Sequence, residues 1–113
     1  MSQRILRVNQ LIKKEISQII LKEVDFPKGT LATVTRVETS SNLIEAKVYI
    51  SVMPESKAEL VLQILTRLIY FLQQQINKRL KMRPVPQIKF FEEIKTKEAA
   101  EIEKLLEEIK KEK

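Results

Sequence analysis

The sequence predicts an α+β domain with a three-stranded sheet, in the order helix, strand, strand, long helix, strand, helix. Three observations carry that prediction. Apolar residues recur every three or four positions from Gln3 to about Glu23, and again from Leu60 to Leu80. They alternate one by one between Leu43 and Met53, and prolines or small polar residues separate the segments. With 113 residues, 43% of them hydrophobic, the chain is long enough for one domain and one core without a disulfide or metal staple.

The first helix buries a stripe of Ile5, Val8, Ile12, Ile16, Ile19 and Ile20, with Arg4, Arg7, Lys14 and Lys22 away from it or at its margin. Asp25, Pro27 and Gly29 lie close together, so Val24 to Gly29 reads as a loop. Thr30 to Thr39 is rich in Thr and Val and forms the first strand. Leu43 to Met53 forms the second, with Ile44, Ala46, Val48, Ile50 and Val52 on one face and Glu45, Lys47, Tyr49 and Ser51 on the other. Ser40-Ser41-Asn42 has turn chemistry, which makes the two a hairpin. One sheet face is expected to pack on helices and the other to meet solvent.

Pro54 stops the second strand, and Ser56 with Glu59 has the spacing of a capping box that starts the long helix. Its core face reads Leu60, Ile64, Leu65, Leu68, Phe71, Leu72, Ile76 and Leu80, with Tyr70 as well as Phe71 assigned to core packing. At roughly seven turns this helix is long for the domain, which leaves room for a bend or break. Pro84 and Pro86 end it, because neither donates a backbone hydrogen bond and each drives its predecessor out of the α region. Gln87 to Phe91 is the third strand, with Ile88 and Phe90 on one face and Lys89 and Phe91 on the other. Thr96 can cap a final helix with a stripe of Ile102, Leu105, Leu106 and Ile109, docked on the domain or free to meet a partner. The chain thus divides into a domain over residues 1–95 and an acidic amphipathic helix over residues 96–113.

Composition closes most of the enzyme catalogue. His and Cys are absent, which excludes an imidazole base, a thiolate nucleophile and a Cys/His metal site. The single glycine, Gly29, excludes a Walker loop or dinucleotide fingerprint. Asp25, Glu92 and Glu93 read as ordinary solvated carboxylates. No cofactor is expected. The N-terminus has no secretory pattern, and the most apolar stretch, Leu60 to Leu72, is interrupted by Gln63, Thr66 and Arg67. A cytoplasmic protein without a membrane segment is the expectation.

Lys and Arg outnumber Asp and Glu by 21 to 15. Residues 1–91 carry 15 basic and 7 acidic side chains, a balance of +8, whereas residues 92–113 carry 6 and 8, a balance of −2. The first part is the electrostatic footprint for a polyanion. Lys78, Arg79, Lys81 and Arg83 fall in one short run. They read either as a solvated helix end favoured by the dipole or as phosphate contacts. Arg4, Arg7, Lys13 and Lys14 form a second group, a solvated helix face or a further contact surface. Lys47 and Lys89 can form a cross-strand basic pair on the open sheet face, partly neutralised by Glu45. Tyr49 and Phe91 on that face read as an aromatic cross-strand pair, as residues covered by the final helix, or as a base-stacking platform.

At this order of elements the local patterns resemble the ribosome-binding factor A family. The matching pieces are Arg7-Val8-Asn9 and Glu15-Ile16, Val34-Thr35-Arg36-Val37 with Ser40, and Ala46-Lys47-Val48-Tyr49-Ile50-Ser51. The run from Lys81-Met82-Arg83-Pro84 through Val85-Pro86-Gln87-Ile88 follows, and then Ile102-Glu103-Lys104-Leu105-Leu106. The resemblance implies a type II K-homology fold, a small mixed sheet with helices on one face. Such domains grip single strands with a Gly-x-x-Gly loop between two helices, which this chain cannot form. The family has an interhelical kink with an Ala-x-Gly signature instead. Leu68-Ile69-Tyr70 stands there, so either other residues make the kink or the helix is straighter.

The resemblance further implies a monomeric, non-catalytic bacterial factor that binds the immature small ribosomal subunit through its ribosomal RNA and assists late maturation. The run Lys78 to Arg83 would then face RNA. Ribosomal proteins and a ribosome-associated GTPase are further candidate partners. A generic single-stranded nucleic-acid-binding module and a protein-interaction module using the acidic helix are the alternatives.

Overall fold

A computed structural model describes residues 2–94. Its elements are α1 (Gln3–Glu23), β1 (Leu31–Thr39), β2 (Glu45–Met53), a short 3-10 turn (Glu55–Lys57), α2 (Ala58–Arg67), α3 (Ile69–Arg79) and β3 (Gln87–Glu92). The expected final helix, with its Thr96 cap, and the division at residue 95 lie outside the described residues.

α1 starts where the Ser2 hydroxyl accepts from the Ile5 N–H, a cap that the hydrophobic period alone does not reveal. It buries Val8, Ile12, Ile16, Ile19 and Ile20 as the spacing predicts, with Ile5 only half-buried in the first turn. Gly29 has φ 82° in the turn closed by the Thr30 N–H on the Pro27 carbonyl, a conformation that L side chains adopt at a cost.

The sheet order is β1-β2-β3, antiparallel between β1 and β2 and parallel between β2 and β3, so the mixed three-stranded sheet is present. The hairpin is tied by Ser40 and Asn42. The Ser40 hydroxyl donates to Asn42 Oδ1 and accepts the Glu45 N–H, while Asn42 Oδ1 also accepts the Ile44 N–H. Leu43 takes a left-handed φ of 61° and packs partly on the core, so β2 begins at Glu45 rather than Leu43. Ile44 sits in the turn, and its predicted place on the core face is wrong: it is 58% exposed.

β1 contains a bulge, with Val34 opposite Ile50 and Arg36 opposite Tyr49, so Thr35 has no partner residue. The Thr35 hydroxyl donates to the Tyr49 carbonyl across the gap. One extra residue reverses the alternation. Val34 points inward before it and Val37 after it, which turns Arg36 and Glu38 to the outer face.

The long helix is broken at Leu68 (φ −93°, ψ 7°), about 50° in ψ from the helical value. The kink is therefore made without Ala-x-Gly. The N–H of Leu68 still reaches Ile64 and that of Leu72 reaches Leu68, so hydrogen bonding carries across the bend. Ser56 does not cap the helix. Glu55–Lys57 coils into the 3-10 turn first, and α2 starts at Ala58 with Lys57 as its uncapped N-terminal neighbour.

The inward line is Ala58, Val61, Leu65, Leu72, Ile76 and Leu80, with Leu68 partly buried between. This line is narrower than the stripe read from the sequence. Leu60 and Phe71 fall on its margins, each 38% exposed, and Tyr70 projects away from the sheet, 76% exposed. Neither Tyr70 nor Phe71 is core. α1 packs on β1 and α3, and α2 lies across β2 and β3, so all helices cover the one face bearing Ala46, Val48, Ile50, Val52 and Ile88.

Ile76→Ala is expected to cost about 2–5 kcal/mol in urea denaturation, because the side chain is fully buried. Leu60→Ala, at the margin, should cost less than about 1.5 kcal/mol. Equal losses would mean that the stripe is as wide as the sequence suggests.

Candidate nucleic-acid interface

The end of α3 and the start of β3 are joined by one carboxamide. Gln73 Oε1 accepts the Ile88 N–H at 2.8 Å, and Gln73 Nε2 donates to the Pro86 carbonyl at 3.1 Å and to Asn77 Oδ1 at 3.0 Å. The Gln87 and Glu93 N–H groups point to β2, bonding the Ile44 and Ile50 carbonyls, so the Ile88 N–H points outward and needs another partner. Gln73 supplies it from an adjoining helix.

Beside this clamp is a cleft of about 510 Å³ lined by Gln73, Gln74, Asn77, Lys78, Arg83, Pro84, Val85 and Gln87. Its polar groups are mostly amides, which donate and accept at once and so can meet base edges as well as phosphates. Lys78 enters from the last turn of α3 and Arg83 from the loop before β3. Lys81, in the same loop, is exposed but does not line the cleft. Arg79 turns the other way: its Nη1 donates to Glu15 Oε2 at 3.2 Å and Gln18 Oε1 at 3.4 Å, tying α3 to α1. The four residues of the basic run are thus split, with two at the cleft, one beside it and one bridging helices.

Arg4, Arg7 and Lys14 are exposed along α1, and Lys13 is half-buried. Among the described residues none of them forms an ion pair within 4 Å.

The open sheet face carries Lys47 and Lys89 as register partners, and Tyr49 and Phe91 likewise. Lys89 Nζ is 2.6 Å from Glu45 Oε1, so the basic pair is neutralised on one side. The Tyr49 and Phe91 rings lie 5.8 Å apart at 33°, an aromatic cross-strand pair. Arg36 stacks 3.8 Å over Tyr49, bonds Glu93 at 2.9 and 3.2 Å, and also pairs with Glu38. Lys47 Nζ lies 5.8 Å from the Phe91 centroid. Arg36 is thus paired with Glu38 and Glu93 and Lys89 with Glu45, so three carboxylates balance the three cations of this face and little net charge is left for a polyanion.

The Arg36 hydrogen bond holds the Glu93 carboxyl below its ordinary value, and the Lys89 hydrogen bond does the same for Glu45. Arg36 is held above its own ordinary value, chiefly by Glu93.

The sequence reading missed Gln73, Gln74, Asn77, Gln87 and Arg67. A usable signal was present: between Leu60 and Phe91 there is no carboxylate, while Arg67, Lys78, Arg79, Lys81, Arg83 and Lys89 all fall within that stretch. A second cleft, about 360 Å³ and lined by Ile20, Leu21, Val24, Phe26 and Leu31 among others, has no ionisable side chain. Among the described residues no group of three carboxylates is placed to hold a metal ion, and no helix is long and apolar enough to cross a membrane.

An α-β-β-α-α-β domain with a mixed sheet, helices on one face and a kink in place of the glycine loop is a K-homology-like binding domain of the second type. Residues 4–106 match the family described as Ribosome-binding factor A, and the chain belongs to that family. A Thermodesulfovibrio yellowstonii protein named ribosome-binding factor A is 38% identical over 105 residues, which cover 93% of this chain and 89% of that one. The crystal structure of ribosome-binding factor A from Thermus thermophilus matches with a TM-score of 0.69 at 24% identity, covering 78% of this chain and 94% of that one. A homology model of the Thermus thermophilus factor, fitted into a cryo-electron-microscopy map of its 30S complex, matches with a TM-score of 0.62 at 25% identity, covering 74% and 88%. The family is one of ribosome-binding factors, and this chain is not an enzyme.

Gln73→Leu leaves the Ile88 N–H and Pro86 carbonyl without their partner and should cost about 1–3 kcal/mol. Hydrogen exchange at the Ile88 amide should accelerate; unchanged exchange there would refute the clamp.

The depressed Glu93 and Glu45 carboxyls bind protons more weakly in the folded chain than in the unfolded one. Their contribution is complete above the ordinary carboxylate value and is lost as pH falls through the depressed native one. The urea midpoint should therefore fall on acidification, and Glu93→Gln should flatten part of that slope. The effect is small, because both pairs are partly exposed.

Proposed function

We propose that this chain is a non-catalytic maturation factor that binds the immature small ribosomal subunit through its ribosomal RNA and assists late folding and processing of that RNA. One observation carries the reading: the amide-lined cleft with Lys78 and Arg83 at its walls, in a stretch with no carboxylate from Leu60 to Phe91. Cations there can neutralise phosphates and release counterions, while the amides meet exposed base edges. The Thermus thermophilus relative fitted into a map of its 30S complex supports the subunit as the target.

In this reading Lys78 and Arg83 contact RNA directly and Lys81 extends the same surface. Arg79 contributes by fixing α3 against α1. Arg4, Arg7, Lys13 and Lys14 form a secondary contact along α1. Lys47 and Lys89 are the weakest contributors, since Lys89 is paired with Glu45. Residues 1–95 act as the RNA-binding domain of a cytoplasmic monomer, with ribosomal proteins and a ribosome-associated GTPase as further partners.

Charge reversal at Lys78 and Arg83 together should weaken co-sedimentation with purified immature small subunits by roughly tenfold or more near 0.1 M salt. The slope of log affinity against log salt should fall by about one for each phosphate no longer neutralised. Unchanged binding would sink the assignment. Tight, salt-dependent binding of short oligonucleotides without preference for the subunit would instead point to a generic single-strand binder.

A further inference from the structure

Tyr70 is the second residue of α3, directly after the break at Leu68, and it is 76% exposed. A large aromatic ring standing this far into solvent, next to a helix break, is not explained by packing. Its position on the helix is informative. Gln73, Gln74 and Asn77 follow it by three, four and seven residues, so all four share one face of α3. Three of them line the cleft. At 1.5 Å per residue, Tyr70 lies about 6 Å from Gln74 and about 10 Å from Asn77 along the axis, at the far end of the same strip. Lys78, one further turn on from Gln74, closes the strip with a cation, and Arg67 stands exposed at the end of α2 on the other side of the break.

The order along this strip is therefore cation, aromatic ring, amides, cation, in a stretch of sequence free of carboxylates. A flat ring flanked by cations with polar amides beyond fits an unpaired nucleotide segment, in which exposed base faces alternate with phosphates. A duplex offers no free base face to such a ring, and an acidic peptide offers none either. The alternative aromatic platform, Tyr49 and Phe91 on the sheet face, is already occupied: Arg36 covers Tyr49 and is itself bonded to Glu93, the Tyr49 hydroxyl donates to Glu38, and Lys47 lies over Phe91.

We propose that Tyr70 is a base-stacking residue, and that the RNA contacted by this domain is a single-stranded segment laid along α3 from the Leu68 break to Lys78 and Arg83. This rests on the RNA-binding reading above and narrows it to unpaired RNA with a specified stacking position. Tyr70 touches the base, Gln74 and Asn77 meet its neighbour, and Lys78 and Arg83 neutralise the backbone.

The chain has no Trp, so Tyr70→Trp places a single reporter at the site. Titration with a short single-stranded oligoadenylate should quench its fluorescence saturably, and a duplex RNA of the same length should not. Tyr70→Ala should weaken binding of the oligoadenylate by about 5- to 100-fold, with its thermal midpoint unchanged, while Tyr70→Phe retains binding. If Tyr70→Ala binds the oligoadenylate as the parent does while the Lys78 and Arg83 reversals lose the small subunit, stacking is refuted and the RNA-binding surface stands. If the reversals also leave subunit binding intact, the RNA-binding reading fails with it. A concentration-dependent rise in sedimentation coefficient that Tyr70→Ala abolishes would overturn the proposal in favour of a contact between copies of this chain.

Discussion

The parallel pairing of β2 and β3 is the constraint from which the rest of the domain follows. Two parallel neighbours cannot be joined by a tight turn, so the chain must leave β2 at Met53 and return to the level of Glu45 before β3 can begin at Gln87. The crossover has to lie on one face of the sheet, where it covers Ala46, Val48, Ile50, Val52 and Ile88. Run as one straight rod, the ten residues of α2 and eleven of α3 would reach more than about 30 Å, past the return of about 26 Å that the register demands. The break at Leu68 reconciles the two lengths. It also creates the bend beside which Tyr70 stands, and it delivers the end of α3 to the start of β3, where the Gln73 carboxamide fastens them.

Charge is sorted by the same architecture. The sheet's outer face balances three cations with three carboxylates, Arg36 pairing with Glu38 and Glu93 and Lys89 with Glu45, and its aromatic rings are capped by Arg36 and Lys47. Among the described residues, the cations of the helical side and of the loop before β3 form no ion pair, Arg79 being the exception through Glu15. A chain with a modest formal charge of +6 thus concentrates its field where the cleft lies. The Thr35 bulge contributes directly, since without it Arg36 and Glu38 would point into the core.

Much of the fold was legible because hydrophobic period is a direct record of burial: the α1 stripe and the Ala46-Val48-Ile50-Val52 alternation appear in the structure as read. What escaped depended on tertiary partners. Ser56 and Glu59 have capping-box spacing, yet the 3-10 turn after Pro54 uses those residues differently. Tyr70 and Phe71 are apolar enough to be assigned to a core, but only an inward line three or four residues apart meets the sheet. Arg79 looks equivalent to Lys78 in the sequence and becomes structural only because α1 brings Glu15 and Gln18 alongside. The clamp by Gln73 has no local signature, since its partners lie thirteen and fifteen residues away. The family resemblance, carried by short motifs spread along the chain, needed none of this geometry.

The Gln73 carboxamide has one more consequence, for self-association. An open three-stranded sheet has two edges, and an exposed edge is a template on which another chain can add a strand. On β3 the first outward N–H and the carbonyl before it are already satisfied by Gln73, so an incoming strand would have to displace a helix side chain to start its ladder. On β1 the bulge at Thr35 interrupts the regular spacing that a guest strand would need. Both margins of the sheet thus resist the edge-to-edge growth that leads to aggregation, and the domain reaches this without closing into a barrel.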